Sequence, residues 1–334
     1  MKPIHFADDT QHVLVTGATG FIGQLLVSAL LDDGHKVTVL SRDPARAAAV
    51  FTGRVTCYGD MASLPANHRV DVIVNLAGAR ILGARWTDRR KQVLMDSRIG
   101  TTRSLMEWIA RNTRKPALLL NASAIGYYGV QQQGDDSPLS ETSPPQPVFM
   151  SELCQAWEAE AATAAAHGVR VACMRFGLVL GHEGALPMML LPIKLGVGGR
   201  SGSGRQWLSW IHVHDLLRAM AHLWRLPAGT EEARASGERA GVAKVKAYNF
   251  VAPGAVHQAD FVKAAAQMLH RPALLPVPAL PLRLALGEQS DLVLEGQHVV
   301  PTALLAEGFE FAYPDIHSAL ASLHTGDRHG EPVR

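Results

Sequence analysis

The sequence predicts an α/β protein in which a doubly wound parallel sheet carries helices on both faces and a smaller α+β unit follows. Short apolar runs rich in β-branched residues alternate with helical patterns up to about residue 175. Each run is nearly continuously apolar, which is typical of parallel strands that are buried on both faces. Beyond Arg175 the alternation stops, and stretches rich in glycine, serine and proline take its place.

The predicted strands end at glycine or polar residues, and the predicted helices begin and end at recognisable signals. The first helix pattern, 21–31, closes at Asp32-Asp33-Gly34, and Asp43-Pro44 is an N-cap followed by proline at the first helical position. The expected strands are 12–16, 36–40, 54–57, 70–75, 117–121 and 169–174. The expected helices are 21–31, a short alanine-rich helix after Pro44, 88–111, 152–167 and a closing helix at 316–323.

Composition excludes several classes of protein. Of the 334 residues, 47% are hydrophobic and 19% are charged, which is ordinary for a folded domain and excludes disorder as the main state. Lys+Arg less Asp+Glu is 32 − 30 = +2, so we expect neither nucleic-acid nor membrane binding. The start MKPIHFADDT lacks the apolar region of a signal peptide, and no apolar stretch reaches the ~20 residues of a membrane span. Three cysteines without a CxxC pair favour a cytoplasmic location.

A G-x-x-G-x-x-G pattern lies between the first predicted strand and the first predicted helix. Gly17 suits a tight turn, Gly20 allows the backbone to approach a diphosphate, and Gly23 allows the helix to pack on the sheet. Free N–H groups at the helix N-terminus then favour the negative charge. The pattern therefore predicts a Rossmann-type dinucleotide site, with contacts from Gly17, Thr19, Gly20, Phe21, Ile22 and Gly23.

The end of the second strand indicates which dinucleotide binds. Asp43 lies twenty residues after Gly23, as an acid that binds the ribose of NAD would. However, Asp43 is better explained as a helix cap, and the strand tip itself is Ser41-Arg42. Since a guanidinium pairs well with a phosphate, Ser41 and Arg42 predict NADP, with NAD as the less favoured alternative.

Two further segments are expected along the cofactor. Asp60 and Met61, after the third strand, are placed beside the adenine, although Asp60 is equally well explained as a turn residue that caps the next segment. Leu76, Ala77 and Gly78, at the tip of the fourth strand, are placed along the cofactor.

Longer motifs resemble the extended short-chain dehydrogenase/reductases of the NAD-dependent epimerase/dehydratase superfamily. Within it the chain is similar to the atypical epimerase family proteins (YfcH-like), which carry a small C-terminal domain of unknown function. The resemblance spans about residues 13–323 and rests on VTGATGFIG, VNLAGA, RWT (85–87), SAIGYYG (123–129), RFGLVLG (175–181), GSGRQWLSWIHVHD (202–215) and GEQSDLVLEGQHVVPTALLAEGFEF.

The resemblance implies a catalytic serine and a Tyr-x-x-x-Lys pair. Ser123 matches the serine that orients a substrate carbonyl or hydroxyl. The pair is expected at the start of the following helix, where Val148 and Glu152 stand instead. The candidate replacements are Tyr127, as proton donor, and Tyr128, as a substrate contact, and packing roles are an equal alternative.

The resemblance also places residues after the sixth strand near the nicotinamide. Gly177 and Leu178 pass beside it, and Arg175 either binds a phosphate or carboxylate or pairs with an acidic side chain. Arg85 and Arg205 are expected at the substrate.

The expected domains are a dinucleotide-binding unit and a smaller substrate unit. Residues 12–180 and 206–252 are assigned to the first unit, and residues 181–205 and 253–325 to the second. Residues 227–246 are polar, have little periodicity and are expected to form a mobile surface insertion.

The expected function is hydride transfer between NADP and a small polar carbonyl or carbinol, in the manner of an oxidoreductase or epimerase. The alternative is a non-catalytic NADP(H)-binding sensor or scaffold, because the Tyr-x-x-x-Lys pair is missing. We expect a small-molecule substrate and a monomer or homodimer. No metal is expected, because His212 and His214 share one face of a strand while Asp215 points the other way.

Overall fold

A computed structural model describes residues 2–83, 85–227 and 244–326 of the chain. Its centre is a seven-stranded sheet in the order β10-β6-β5-β4-β1-β2-β3, and every neighbouring pair in it is parallel. The chain starts in the middle, runs to one edge and then returns to build the other half. This confirms the predicted doubly wound fold. The strands are β1 (His12–Thr16), β2 (Lys36–Leu40), β3 (Thr56–Tyr58), β4 (Val72–Asn75), β5 (Leu118–Ala124), β6 (Arg170–Phe176), β7 (Leu178–Leu180), β8 (Trp207–Leu208), β9 (Trp210–His212), β10 (Val245–Phe250) and β11 (Val256–His257).

Helices cover both faces of the sheet and form most of the C-terminal part. A π-helical turn, Asp96–Gly100, joins α3 to α4 without a break in the helical path. Among the described residues, no helix has the length and apolar character that crossing a membrane requires. The helices are α1 (Phe21–Asp32), α2 (Pro44–Val50), α3 (Asp88–Met95), α4 (Thr101–Arg111), α5 (Phe149–Ala162), α6 (Leu186–Lys194), α7 (Val213–Arg225), α8 (Gln258–Leu269), α9 (Ala279–Leu286), α10 (Asp291–Leu294), α11 (Thr302–Ala306) and α12 (Ile316–Gly326).

The apolar side chains form separate cores on the two faces of the sheet. Along β1, Val13 and Val15 belong to the core beneath α1 and α7, whereas Leu14 belongs to the core that contains Trp108 of α4. This alternation follows from the two-residue period of a strand. A third core lies among α6, α8 and α12, so the smaller unit buries side chains of its own. That unit is mainly helical, with a two-stranded antiparallel pair of β11 and β8.

Strand β10 was not predicted from the sequence. It begins at Val245, inside the stretch 227–246 that was expected to be an insertion, and residues 228–243 of that stretch lie outside the described residues. The strand pairs with β6 from Val245 opposite Val171 to Phe250 opposite Phe176. Because β10 is an edge strand, only its last three residues are fully buried, and its sequence VKAYNF shows no continuous apolar run.

Candidate functional site

The glycine-rich turn after β1 is held by two close backbone contacts. Gly17 has a positive φ of 67°, and a Cβ there would lie 2.6 Å from the Leu76 carbonyl oxygen. A Cβ on Gly23 would lie 2.3 Å from the Gly17 carbonyl oxygen. A side chain at either position is therefore excluded by backbone atoms. This agrees with the turn and packing roles predicted for these two glycines.

Gly20 differs from the other two glycines of the motif, because a Cβ there would approach a single backbone atom. A Cβ there would meet only the Gly17 carbonyl oxygen, at 3.3 Å. Gly20 is the N-cap of α1, and no side chain caps this helix, so N–H groups of its first turn are left for a ligand. The Phe21 ring packs towards Gly181 and Gly184, where an added Cβ would lie 2.3 Å and 3.1 Å from ring atoms. The cradle therefore fits a diphosphate.

The tip of β2 presents one cation. The Asp43 carboxylate accepts the N–H of Arg46 at 3.0 Å and caps α2, which confirms the predicted cap. The Ser41 hydroxyl donates to the Asp43 carbonyl at 3.1 Å. Arg42 is exposed, and within the described ranges its side chain has no hydrogen-bond or ion-pair partner. The arginine is therefore available to a ligand, whereas the aspartate is occupied.

Asp60 and Met61 have structural partners. The Asp60 carboxylate accepts the N–H of Ser63 at 2.7 Å, and this bond lowers the pKa of Asp60. Its carbonyl accepts the Ser63 hydroxyl at 2.8 Å, so the turn-cap alternative describes this residue. The Met61 side chain is buried in the core with Trp108, and its carbonyl accepts a hydrogen bond from Arg111 at 2.6 Å. The Met61 side chain therefore packs inside the fold and does not face an adenine site.

The segment after β4 borders the glycine cradle. The N–H groups of Leu76 and Ala77 both donate to Thr16, at 3.2 Å each, and this places the segment beside Gly17. Gly78 is closely packed, because a Cβ there would lie 2.9 Å from the Arg98 guanidinium carbon. The structure thus places residues 76–78 beside the glycine-rich turn.

Ser123 lies at the end of β5, but its hydroxyl is not open to a cleft. The side chain is buried and donates to the Glu158 carboxylate at 2.7 Å. Glu158 also accepts two hydrogen bonds from Arg175, each 2.8 Å long. In the structure, the hydroxyl expected to orient a substrate is therefore bonded to a buried ion pair.

Arg175 is enclosed by this pair and by two aromatic rings. Its guanidinium carbon lies 3.4 Å from the centre of the Tyr127 ring, and one nitrogen donates to the Tyr128 hydroxyl at 3.0 Å. Burial lowers the pKa of Arg175, but the hydrogen bonds and the charge of Glu158 outweigh it and raise the pKa above its ordinary value. Of the two alternatives for Arg175, pairing with an acid is the one that the structure shows; its side chain does not reach towards the cradle as a phosphate ligand.

Tyr128 is a core residue, which corrects its predicted contact with the substrate. Its side chain is buried, its hydroxyl donates to Asn249 at 2.7 Å, and burial raises its pKa to about 12. Tyr127 is half-buried, with its ring 5.4 Å from that of Tyr128. Of the two tyrosines, only Tyr127 keeps part of its surface open.

The positions of the missing Tyr-x-x-x-Lys pair lie where the resemblance places them. Val148 is the residue before α5, and Glu152 is exposed in the first turn of that helix. Neither side chain offers a phenol or an amine. Proton transfer by that pair is therefore absent from this chain.

The remaining predicted residues lie around the junction of the two units. A Cβ on Gly287 would lie 2.9 Å from Arg85, so the Arg85 side chain lies against the C-terminal part of the chain. Arg205 is exposed in the loop before β8. Gly177 is tightly packed, with its Cβ position 2.6 Å from the Ser209 carbonyl oxygen, and Leu178 donates its N–H to that same oxygen at 2.9 Å.

Sequence reasoning missed a buried polar chain beneath the cradle. Thr16 donates to Asn75 at 2.6 Å, and the Asn75 amide donates to Asn121 at 2.6 Å and to Thr102 at 2.9 Å. Asparagine near the carboxyl end of two neighbouring strands was the available signal for it. Glu158 carried no such signal, because it lies within an ordinary helical pattern.

Comparison with known proteins identifies the family. The model of the NAD dependent epimerase/dehydratase family matches residues 13–235. The chain belongs to this family. A second model, for a domain of unknown function (DUF1731), matches residues 277–323, in the smaller unit.

Similar proteins extend over nearly the whole chain. Epimerase family protein SSP1921 of Staphylococcus saprophyticus is 41% identical over 318 residues, which cover 94% of this chain and 99% of the relative. YfhF of Bacillus subtilis, also an epimerase family protein, is 38% identical over 316 residues, 93% of this chain and 97% of its own. Both matches agree with the subgroup that the sequence motifs resemble.

Solved structures share the fold. The human epimerase family protein SDR39U1 (isoform2), crystallised with NADPH, superposes with a TM-score of 0.78 at 32% identity and covers 94% of this chain and 99% of its own. A UDP-galactose 4-epimerase superposes with a TM-score of 0.69 at 19% identity, covering 96% of this chain and 100% of its own, and shows the fold alone. The cradle and the family together support a nicotinamide dinucleotide as the cofactor.

Proposed function

We propose that this protein binds NADP(H) and transfers hydride between it and a small polar carbonyl or carbinol, as an oxidoreductase or epimerase does. The observation that carries the proposal is the uncapped N-terminus of α1 at Gly20, where an added Cβ would approach only one backbone atom. Two observations support NADP over NAD. Arg42 has a free guanidinium at the tip of β2, whereas Asp43 is occupied as a cap. The human relative, 32% identical, was crystallised with NADPH.

The proposed roles follow from the geometry of each segment. The N–H groups around Gly20 hold the diphosphate, Arg42 pairs with the 2′-phosphate, and residues 76–78 border the coenzyme. When bound, the nicotinamide supplies or accepts the hydride. Tyr127 is the proposed proton donor, since part of its surface is open. Ser123 takes part only by exchanging its hydrogen bond with Glu158 for one with the substrate. We also propose a cytoplasmic location, for which the free thiols of all three cysteines are the support.

Calorimetric titration with NADPH and NADH tests the cofactor. We expect NADPH to bind at least about tenfold more tightly, since a guanidinium–phosphate pair is a charge-assisted hydrogen bond. Gly20→Val should abolish binding of both coenzymes, because its side chain fills the space for the diphosphate. Ala110→Val is the control, since Ala110 is exposed near the end of α4. Arg42→Ala should remove most of the preference for NADPH.

Three results contradict this proposal in different ways. No heat with either coenzyme overturns the dinucleotide site. Stronger binding of NADH overturns only the choice of NADP. Normal binding by Gly20→Val shows that the nucleotide lies elsewhere.

A second candidate function is a sensor or scaffold that binds NADP(H) without turnover. The specific observation that favours it is the burial of Ser123 against Glu158 and Arg175, together with Val148 and Glu152 at the positions of the catalytic pair. Few side chains at the end of β5 are therefore able to transfer a proton to or from a substrate.

Oxidation of bound NADPH separates the two functions. Absorbance of the reduced nicotinamide is followed against a panel of carbonyl compounds, for the parent protein and for Ser123→Ala and Tyr127→Phe. Catalysis predicts oxidation by at least one compound and a loss of about 10²-fold or more in Tyr127→Phe, since a positioned proton donor contributes on that scale. Tight NADPH binding without oxidation by any compound supports the sensor, whereas turnover that is unchanged in both variants overturns the roles proposed for Ser123 and Tyr127.

A further inference from the structure

The π-helical turn between α3 and α4 carries a buried arginine. Within Asp96–Gly100 the helix takes a wider turn, a feature that occurs frequently at functional sites. Arg98 lies at the middle of this turn, and only 9% of its surface is exposed. The turn therefore directs a cation into the interior.

The groups that contact the Arg98 guanidinium are neutral. One nitrogen donates to the Ala79 carbonyl at 3.0 Å and another to the Leu94 carbonyl at 3.3 Å, while the Trp157 ring lies 5.2 Å away. In the part of the chain that the structure describes, no carboxylate pairs with it. Burial lowers its pKa to about 10, and the like charge of Arg90 also lowers this pKa, so Arg98 is charged at neutral pH. A buried charge without a counter-ion is costly, and a protein normally pairs it.

This cation packs against the segment that borders the proposed diphosphate site. The guanidinium carbon lies 2.9 Å from the point where a Cβ of Gly78 would be, so the side chain packs directly against the segment 76–79. At its other end this segment contacts Gly17, through the Leu76 carbonyl, 2.6 Å from that glycine's Cβ position. The unpaired charge thus lies against the segment that borders the cradle.

We propose that Arg98 is a positioning residue for the dinucleotide, and that the bound diphosphate supplies the negative counter-charge that the Arg98 guanidinium lacks among the described residues. The cation holds the Ala79 carbonyl, which fixes the bordering segment, and adds positive potential to a cradle otherwise built from N–H groups. This inference rests on the proposed function, because it requires a dinucleotide at Gly17–Gly23.

Two variants of Arg98 separate its charge from its hydrogen bonds. Arg98→Gln removes the charge but keeps an amide that donates to carbonyl groups, and Arg98→Lys keeps the charge. Arg103→Gln is the matched control, because Arg103 lies on α4 with 60% of its side chain exposed and pairs with Glu160 at 3.1 Å.

The probes are ADP, which carries a diphosphate, and adenosine, which does not. Their inhibition constants are measured by competition against the fluorescence of bound NADPH.

We expect Arg98→Gln to weaken ADP at least about tenfold, on the scale of one charge–charge interaction at a partly screened distance, and adenosine by less than about twofold. Arg98→Lys should keep most of the preference for ADP over adenosine, and Arg103→Gln should match the parent protein.

Equal weakening of ADP and adenosine by Arg98→Gln shows a merely structural role and overturns the inference, as does unchanged ADP binding. If Arg98→Gln does not fold, Arg98→Lys decides, because loss of the preference for ADP with the charge retained also overturns it. Failure of the parent protein to bind NADPH overturns the proposed function itself and is distinct from these results.

Discussion

The Glu158 carboxylate lies at the centre of a buried cluster whose role differs between the enzyme and the sensor interpretations of this chain. Its carboxylate holds the Arg175 fork through two bonds of 2.8 Å and accepts the Ser123 hydroxyl at 2.7 Å. Only 13% of the glutamate side chain and 5% of the arginine side chain are exposed. Such a pair adds little net stability to a protein as a whole. Removing only one of its two charges is nevertheless costly, because the other charge stays buried without a counter-ion.

Glu158→Gln should therefore reduce the free energy of unfolding by about 3–5 kcal/mol, the usual effect of breaking a buried pair on one side. Urea denaturation followed by circular dichroism measures this change. Glu160→Gln, two residues later on α5, is the control, because its partner Arg103 is exposed and such pairs contribute at most about 1 kcal/mol. Similar losses in the two variants would show that Arg175 is not dependent on this carboxylate.

Residue-level predictions succeeded where the constraint is local. The positive φ of Gly17 and the contact of Gly23 with the Gly17 carbonyl lie within the glycine motif itself, and the cap at Asp43 follows from the proline after it. The partner of Ser123 lies 35 residues further along the chain, and no spacing rule connects the two. Tyr128 could not be placed from sequence either, because its partner Asn249 belongs to β10, the strand that was missed.

At the scale of elements, α7 begins with an unusual cap. The His212 ring accepts the N–H of His214 at 3.0 Å through Nδ1, and its other nitrogen lies 3.1 Å from the Ser322 hydroxyl. Burial lowers the pKa of His212 to about 4, with smaller opposing and supporting effects from Asp215, His214 and His182. The cap requires the neutral ring, because a protonated Nδ1 cannot accept.

The depressed pKa of His212 predicts how the stability depends on pH. The unfolded chain binds a proton at His212 near pH 6.5, but the folded protein does so only near pH 4. The stability contributed by the neutral His212 ring is therefore fully present above about pH 7 and is lost as pH falls towards 4. The loss is about 3 kcal/mol in the free energy of unfolding. Urea denaturation at pH 7 and pH 4 should show a smaller difference in His212→Asn, which caps without titrating.

The exposed His167 provides the control for this measurement, since His167→Asn should leave the pH dependence unchanged. An equal pH dependence in the parent protein and in His212→Asn would mean that other groups carry the acid sensitivity.

Helix and strand predictions differ in accuracy for physical reasons. The pattern at 88–111 predicted one helix, and the structure has α3 and α4 joined by a π-helical turn that hydrophobic periodicity does not reveal. Strands β1, β2, β4 and β5 were predicted closely because burial on both faces gives continuous apolar runs. Edge strand β10 lacks that burial and was not predicted.

At the scale of the whole molecule, the buried Asp215 carboxylate is one of the groups that link the large unit to the small one. Asp215, fully buried at the start of α7, accepts the N–H groups of Ala312 and Tyr313 at 3.0 Å and 2.8 Å, and pairs with Arg218. The sequence could not show this contact, because its donors are main-chain groups about a hundred residues further on. The place of Asp215 in the motif HVHD is thereby explained by architecture.

The late position of β10 in the chain has a consequence for biosynthesis. Strands β1 to β6 are complete once residue 176 has left the ribosome, whereas their last neighbour needs another 74 residues of translation. Until then β6 has unpaired main-chain groups along one side, the kind of edge on which nascent chains associate. The nascent polypeptide therefore passes through a stage in which six strands of its central sheet have been synthesised while the edge at β6 is still unpaired, and a chaperone that shields that edge would act in this interval.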